Sequence, residues 1–369
     1  MAKDSTLYLN ASGRFQSLMV NTWDINANDS DGLSNLETNI LIRRARLKFK
    51  GWAVNPSFKY NVELALSNRD NGGGNSSRFN NAANIILTAQ AEWNFYKGLS
   101  IWFGQGKLPG NRERIISSGN LQFVDRSRLN SRFTLDRDVG VMLKHNHKFG
   151  NKFILRETFA LSSGEGKNIT AINEGGRAYT FKVEALPFGK FASKGDYSGG
   201  DLAREELPKL AIAVAYDINV DAGRTRGQGG SFLSDISEFS IAKNLSTVFA
   251  DLIFNYQGFS VMVEYVNRTT DDGDSSIFGE NNEVLANYFT GSATNVAVGY
   301  LFRKNWEVAA RFTNVLPDEN VASNENQYTL GLSKYIVGHK LKVQTDVTYR
   351  DLDIGTDTFI YRLQVDIHL

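Results

Sequence analysis

Apolar and polar residues alternate with a period of two through most of this chain, and a 3.6-residue period is hard to find. The last stretch shows this most plainly. Phe359, Tyr361, Leu363, Val365, Ile367 and Leu369 fall on one face, with Arg362, Gln364, Asp366 and His368 on the other. The stretch before it sets Leu341, Val343, Thr345, Val347 and Tyr349 against Lys342, Gln344, Asp346 and Arg350, and residues 58–66 and 259–265 behave alike. A strand with one greasy and one charged side needs lipid or a core on the first and water on the second.

Connections between these strands alternate in length. Short ones fall near residues 52–56, 96–98, 149–151, 257–258, 303–305 and 337–339; long polar ones fall near 24–36, 68–84, 109–137, 164–176, 221–246, 270–287 and 314–325. Short turns at one end and long loops at the other mark a transmembrane β-barrel. Strand starts near Thr6, Glu37, Ser57, Ile85, Leu99, Asp138, Lys152, Arg177, Lys209, Thr247, Phe259, Ala293, Trp306, Asn326, Lys340 and Thr358 predict an all-β fold. It is a single domain over residues 1–369, an antiparallel up-and-down barrel of 16 strands with both termini at the short-turn end. One connection is out of order: Pro187–Pro208 falls at the short-turn end yet is long, glycine-rich and charged. A soluble sandwich, propeller or solenoid would share the alternation. The loop-length pattern, the aromatics at strand ends (Trp23, Trp93, Tyr96, Tyr349, Tyr361) and the lack of a repeat length weigh against it.

Composition narrows the class further. With 41 basic and 40 acidic side chains, net charge gives no reason to expect a nucleic-acid partner. No run approaches the roughly 18 apolar residues of a membrane helix, so any membrane crossing must use strands. The opening MAKDSTLYLN lacks an apolar central region and reads as a mature start without a signal peptide. Cysteine is absent, which removes disulfides and thiol chemistry.

Charge matters by position, and it concentrates in Leu99–Asp138. The segment begins as a strand with Leu99, Ile101 and Phe103 on one face, leaves through Pro109-Gly110, and collects Arg112, Arg114, Arg126, Arg128 and Arg132. The alternation then resumes with Val139, Val141 and Leu143. Such an excursion is either a surface loop or a loop folded inward. We read it as an infolded third loop, about residues 108–137, that constricts a pore. Guanidinium groups there would replace the hydration shell of a passing anion with charge-assisted, often bidentate hydrogen bonds.

Four stretches carry a family resemblance: LIRRARLKFKG (Leu41–Gly51), LSIWFGQGKLPGNRERIISSGNLQFVDRS (Leu99–Ser127), RDVGVML (Arg137–Leu143) and NQYTLGLSKYIVGHKLKVQTDVTYR (Asn326–Arg350). In order and spacing the chain resembles the phosphate-selective porin O/P family. The resemblance implies a homotrimeric barrel in the outer membrane of a Gram-negative bacterium, whose third loop folds into the lumen and whose arginines guide phosphate or other small anions. Carried over by motif, the constriction residues are Arg43 and Arg44, Arg114 just before the SS dipeptide, and Arg126. Arg14 in GRFQ resembles a position nearer the mouth, and Arg112, Arg128 and Arg132 are further pore-lining candidates. The acid that the family places on the fourth strand has no counterpart near Leu87-Thr88. Arg43 and Arg44 are neighbours, so a regular strand would point them to opposite faces. At least one needs a bulge, an interface or a strand end. The competing role for all these arginines is an ion-pair network, with Glu113 and Asp125 as local partners.

The expected function is passive diffusion of small hydrophilic solutes, anions first. The alternative is a barrel that conducts little and serves as a scaffold or secretion-complex subunit, meeting a protein partner through its long loops. No cofactor, metal or enzyme activity is expected. Asn28–Gly32 and Asp271–Asp274 lack the distal glutamate of a calcium loop. Gly72–Gly74 and Gln228–Gly230 lead into no phosphate-binding helix, and the histidines at 145, 147, 339 and 368 have no carboxylate at a catalytic spacing.

Overall fold

The computed structural model describes residues 6–25, 32–71, 84–173, 175–239 and 241–369. Eighteen strands occur among them: β1 (Leu7–Ile25), β2 (Leu33–Ala53), β3 (Phe58–Ala65), β4 (Ile86–Tyr96), β5 (Leu99–Lys107), β6 (Arg137–Phe149), β7 (Phe153–Ser162), β8 (Ala178–Leu186), β9 (Lys209–Asn219), β10 (Leu245–Tyr256), β11 (Phe259–Thr270), β12 (Ser276–Phe278), β13 (Val284–Asn287), β14 (Gly291–Leu301), β15 (Trp306–Pro317), β16 (Glu325–Val337), β17 (Leu341–Leu352) and β18 (Thr358–His368). Sixteen of them close an antiparallel barrel in which each strand pairs with its sequence neighbour, and β1 pairs with β18 to seal the ring. The other two, β12 and β13, form a small hairpin inside the loop between β11 and β14, where the sequence pattern showed only loop.

Strand boundaries follow the alternation closely, with one difference. β2 starts at Leu33 rather than near Glu37, and it pairs with β1 as far as Ile25, so the first hairpin runs beyond the expected loop boundary. Asn28–Asp31 and Gly72–Gly74 lie outside the described residues. Asp272 and Asp274 are ion-paired to Lys243 at 2.9 and 3.2 Å.

Period-two burial orients the wall. Val139, Val141 and Leu143 on β6, Phe181 and Val183 on β8, Ile212 and Val214 on β9, and Leu330 and Leu332 on β16 are exposed on the outer surface. Their neighbours, such as Lys182, Glu184 and Asp251, are buried inside. A soluble protein would not leave such a continuous apolar belt in water; a bilayer accepts it. Trp93, Tyr96 and Tyr349 are exposed near strand ends, where interface aromatics sit.

The interior is far from uniformly polar. Trp102, Met142, Ala160, Ala215, Phe249, Val266, Ala293 and Val315 point inward and pack with Leu108, Leu129, Phe133 and Leu135 of the β5–β6 connection, which therefore lies inside the barrel. On β9 the inward residues Ala211, Ala213 and Ala215 are small, and the outward Ile212, Val214 and Tyr216 are large. That reversal makes room for an occupant in the lumen.

Candidate functional site: a cationic chamber beside the infolded loop

The infolded loop leaves β5 at Lys107 and re-enters β6 at Arg137, residues that are register partners. Between them Arg112–Ile115 and Arg128–Phe133 form short helices. Ser127 caps the second by accepting from the Asn130 amide at 3.2 Å. Apolar burial draws the loop in: Leu129, Phe133 and Leu135 are almost fully buried against the far wall.

Polar contacts then fix its position. Arg112 Nε meets Asp251 and its Nη2 meets Glu184, both at 2.6 Å, while Nη1 donates to the Asp196 carbonyl at 2.9 Å. The Val124 amide donates to Asp346 at 3.0 Å, Arg311 donates to the Asp125 carbonyl at 2.9 Å, and Lys342 donates to the Leu121 carbonyl at 2.9 Å. The loop is thereby pinned across the β8–β18 side. Its free flank faces β2–β4.

On that flank lies a cavity of about 400 Å³. Nine cationic side chains line it: Arg43, Arg44, Arg46, Arg69, Lys107, Arg114, Arg126, Arg137 and Lys167. Three carboxylates oppose them, Asp70, Asp125 and Asp136. The lining comes from β2, β5, β6, the infolded loop and the long loops after β3 and β7, so no local stretch of chain reveals the set.

Arg43 and Arg44 both reach it because of a bulge. Gln16 on β1 pairs with Arg44 and Ser17 pairs with Ile42, so Arg43 has no register partner and turns inward with its neighbour. Both guanidinium groups contact Asp125, at 3.2 and 3.3 Å. Arg114 pairs with Asp136. Arg126 donates through Nε to the Glu113 carbonyl at 2.9 Å and through Nη2 to the Ile116 carbonyl at 2.8 Å, so it also staples the loop to itself. The chamber's carboxylates come from the infolded loop (Asp125, Asp136) and from the connection after β3 (Asp70), not from the fourth strand. Thr88 itself accepts from Arg137 Nε at 3.3 Å.

These charges shape one another. Burial would raise the Asp125 carboxyl, but Arg43, Arg44 and Arg362 outweigh it and hold Asp125 far below the usual carboxylate range. Burial at Asp136 is likewise outweighed by Arg114 and Arg137. Burial, and then the positive charges of Arg114 and Arg44, push the Arg126 guanidinium well below its ordinary value. Even with these acids present the chamber carries an excess of positive charge. The Nε–H groups of Arg43, Arg44 and Arg114 have no protein partner among the described residues, so the walls retain unused donors.

The four outlying arginines sit elsewhere. Arg14 pairs with Asp366 at 3.0 Å and donates to Ser118 of the loop at 2.9 Å. Arg112 was expected to line the pore and is instead a buried anchor with every terminal nitrogen engaged; the carboxylates of β8 and β10 opposite it decide that role. Arg128 pairs with Glu325 at 2.8 Å. Arg132 lies over the Phe289 ring at 5.3 Å. None of the four lines the chamber. Sequence reasoning missed Arg46, Lys107, Arg137 and Lys167. For Arg46 a signal existed, since Arg44, Arg46 and Lys48 repeat on one strand face.

Beneath the chamber a second cavity of about 380 Å³ opens toward the short-turn end, lined by Asn94, Ser100, Lys144, Arg156, Thr158 and Tyr197 among others. Lys107 borders both cavities. Its ammonium donates to the carbonyls of Arg114, Ile115 and Ile116 at 2.6, 3.1 and 3.1 Å, holding the loop's first helix against the wall.

A closed sixteen-strand antiparallel barrel with a lipid-facing belt and a loop folded into its lumen is the porin class of membrane barrel. Within that class the chain belongs to the phosphate-selective porin O and P family, whose sequence profile matches residues 16–354. An uncharacterized protein of Aquifex aeolicus (strain VF5) is 24% identical over 292 residues, covering 72% of this chain and 63% of that relative, so the chain matches less than two thirds of the relative's length. The fold is shared with a loop L8 deletion mutant of OmpT, an outer membrane protein of Vibrio cholerae (TM-score 0.58, 11% identity, 99% of this chain and 100% of that one). It is also shared with the anion-selective porin from Comamonas acidovorans (TM-score 0.57, 10% identity, 98% and 100%).

Proposed function

We propose that this chain is an outer-membrane porin of a Gram-negative bacterium that passes small hydrophilic solutes and prefers anions, with phosphate-like oxyanions favoured at the chamber bounded by Arg43, Arg44, Arg114 and Arg126. One observation carries the reading: nine cations against three carboxylates around a cavity beside the infolded loop. Fixed cations in a low-dielectric wall focus the field on an entering anion, and arginine presents paired donors to a tetrahedral oxyanion. The three acids moderate the attraction, which a channel needs if the solute is to leave. On this reading the long loops face outward, the short turns face the periplasm, and the barrel assembles as a homotrimer.

The double substitution Arg114→Ala with Arg126→Ala tests the site. In a planar bilayer the reversal potential in a salt gradient should shift toward cation preference, and phosphate should block chloride current less. An unchanged reversal potential together with unchanged phosphate block would remove the chamber from the pathway. Native mass of the unheated protein reports the trimer.

A further inference from the structure

The connection between β8 and β9, residues 187–208, stands at the short-turn end yet does not behave as a turn. Its Phe191 is buried in an apolar cluster with the inward-facing Ile154, Leu186, Ala211 and Ile253 of β7, β8, β9 and β10. From there the segment crosses the barrel mouth. Asp196 pairs with Arg156 of β7 at 2.5 Å, and its carbonyl receives Arg112 of the infolded loop. The Gly199 amide donates to the Asn120 carbonyl of that loop at 2.7 Å. Ser198 Oγ lies 2.8 Å from His339 Nε2, in the turn between β16 and β17. Asp201 accepts from the Gly258 amide at 2.7 Å, and Arg204 donates to the Leu301 carbonyl at 2.6 Å, which ties the segment to the turns after β10 and β14.

Two glycines are required by this close fit. A Cβ at Gly199 would stand 2.4 Å from the Gln122 amide nitrogen, and one at Gly200, where φ is +72°, would stand 2.5 Å from Glu307 Oε1. Segment and loop thus meet in mid-lumen by backbone contact, with Asp196 and Asp201 buried. The second cavity lies beside the segment, under β4 to β8, and of this segment only Tyr197 lines it.

We propose that residues 187–208 form a periplasmic plug which closes the β8–β17 sector of the barrel, so that solute leaves only through the vestibule lined by Lys144, Arg156 and Thr158. The plug would then set the size limit of the exit. The inference rests on the conducting reading above, but the closure itself can be tested without current.

The chain has no cysteine, so single cysteines report access directly. Thr158→Cys places a thiol in the vestibule; Ile253→Cys and Asn255→Cys place one beneath the plug, where Ile253 packs on Phe191 and Asn255 faces Gly195. With a negatively charged methanethiosulfonate reagent on the purified folded barrel, the two covered positions should react at least about tenfold more slowly than Thr158→Cys, since they need local opening. Shortening the plug to a tight turn should abolish the difference and raise single-channel conductance, because the covered sector of the exit is opened. Equal labelling rates with the plug intact would overturn the proposal. So would a plug-shortened barrel that folds, conducts and matches the parent in conductance and labelling. If the shortened barrel does not fold, the rates measured with the plug intact decide. A parent barrel that carries no current counts against the conducting reading alone.

Discussion

An anion entering the chamber competes with Asp125 for Arg43 and Arg44, which gives Asp125→Asn an expected sign that a purely structural ion pair would not produce. The carboxylate holds the two guanidinium groups at 3.2 and 3.3 Å, and its side chain is 29% exposed. A monoanion bound about 5 Å away, at an effective dielectric of about 20, feels a repulsion of about 3 kcal/mol from it. Screening at a partly open site trims this to about 1–1.5 kcal/mol, or about tenfold in affinity. Asparagine keeps the oxygen that accepts from the Arg126 amide at 3.1 Å, so the local turn survives. Phosphate titrated against chloride current in a planar bilayer should reach half-block at about a tenth of the parent concentration. The reasoning fails if half-block is unchanged or needs more phosphate; Asp125 would then be a strut and not the counter-charge of a binding site.

Other outcomes follow from how the loop is held. Arg112→Met leaves Asp251 and Glu184 with less compensation in a buried site and should destabilise the barrel by about 3–5 kcal/mol, seen as earlier loss of the compact gel band on heating. Arg128→Ala, at a pair whose arginine is 28% exposed, should cost less than about 1 kcal/mol in the same assay. Phe133→Ala should cost about 3–5 kcal/mol through the cavity it leaves, and it should add open-channel noise as the loop loses its apolar footing. Because Asp125 and Asp136 have lowered carboxyl pKa values in the folded state, the stability they contribute is fully present above their unfolded value of about 3.9 and is lost as pH falls toward the lowered folded values. Replacing both by asparagine removes that contribution, so acid unfolding followed by tryptophan fluorescence should set in at higher pH in the variant than in the parent, with a shallower fall of stability between neutral pH and the midpoint; the same acid midpoint in parent and variant would contradict the linkage.

The wall of this protein is legible from its residues alone. Side chains on a strand alternate strictly, so Val139, Val141 and Leu143 on one face and Lys182, Glu184 and Asp251 on another announce lipid outside and polar groups inside before any contact is known. Turn length supplied strand number and direction, and even the strand ends fell close to their expected places. The infolded loop was legible in outline as well, because a strand that leaves at Pro109-Gly110, collects Arg112, Arg114, Arg126, Arg128 and Arg132 and resumes at Val139 reads as a loop with work to do in a pore.

What lines the chamber was settled only by folding. Arg43 turns inward through a bulge whose register depends on β1, and Arg112 is an anchor because Glu184 and Asp251 stand opposite it, some 70 and 140 residues away in sequence. Lys167 and Asp70 meet the arginines from separate loops. The sequence carries the period of each strand, a local property; which charges face one another across a lumen depends on closure of the ring, which places residues distant in the chain within a few ångströms.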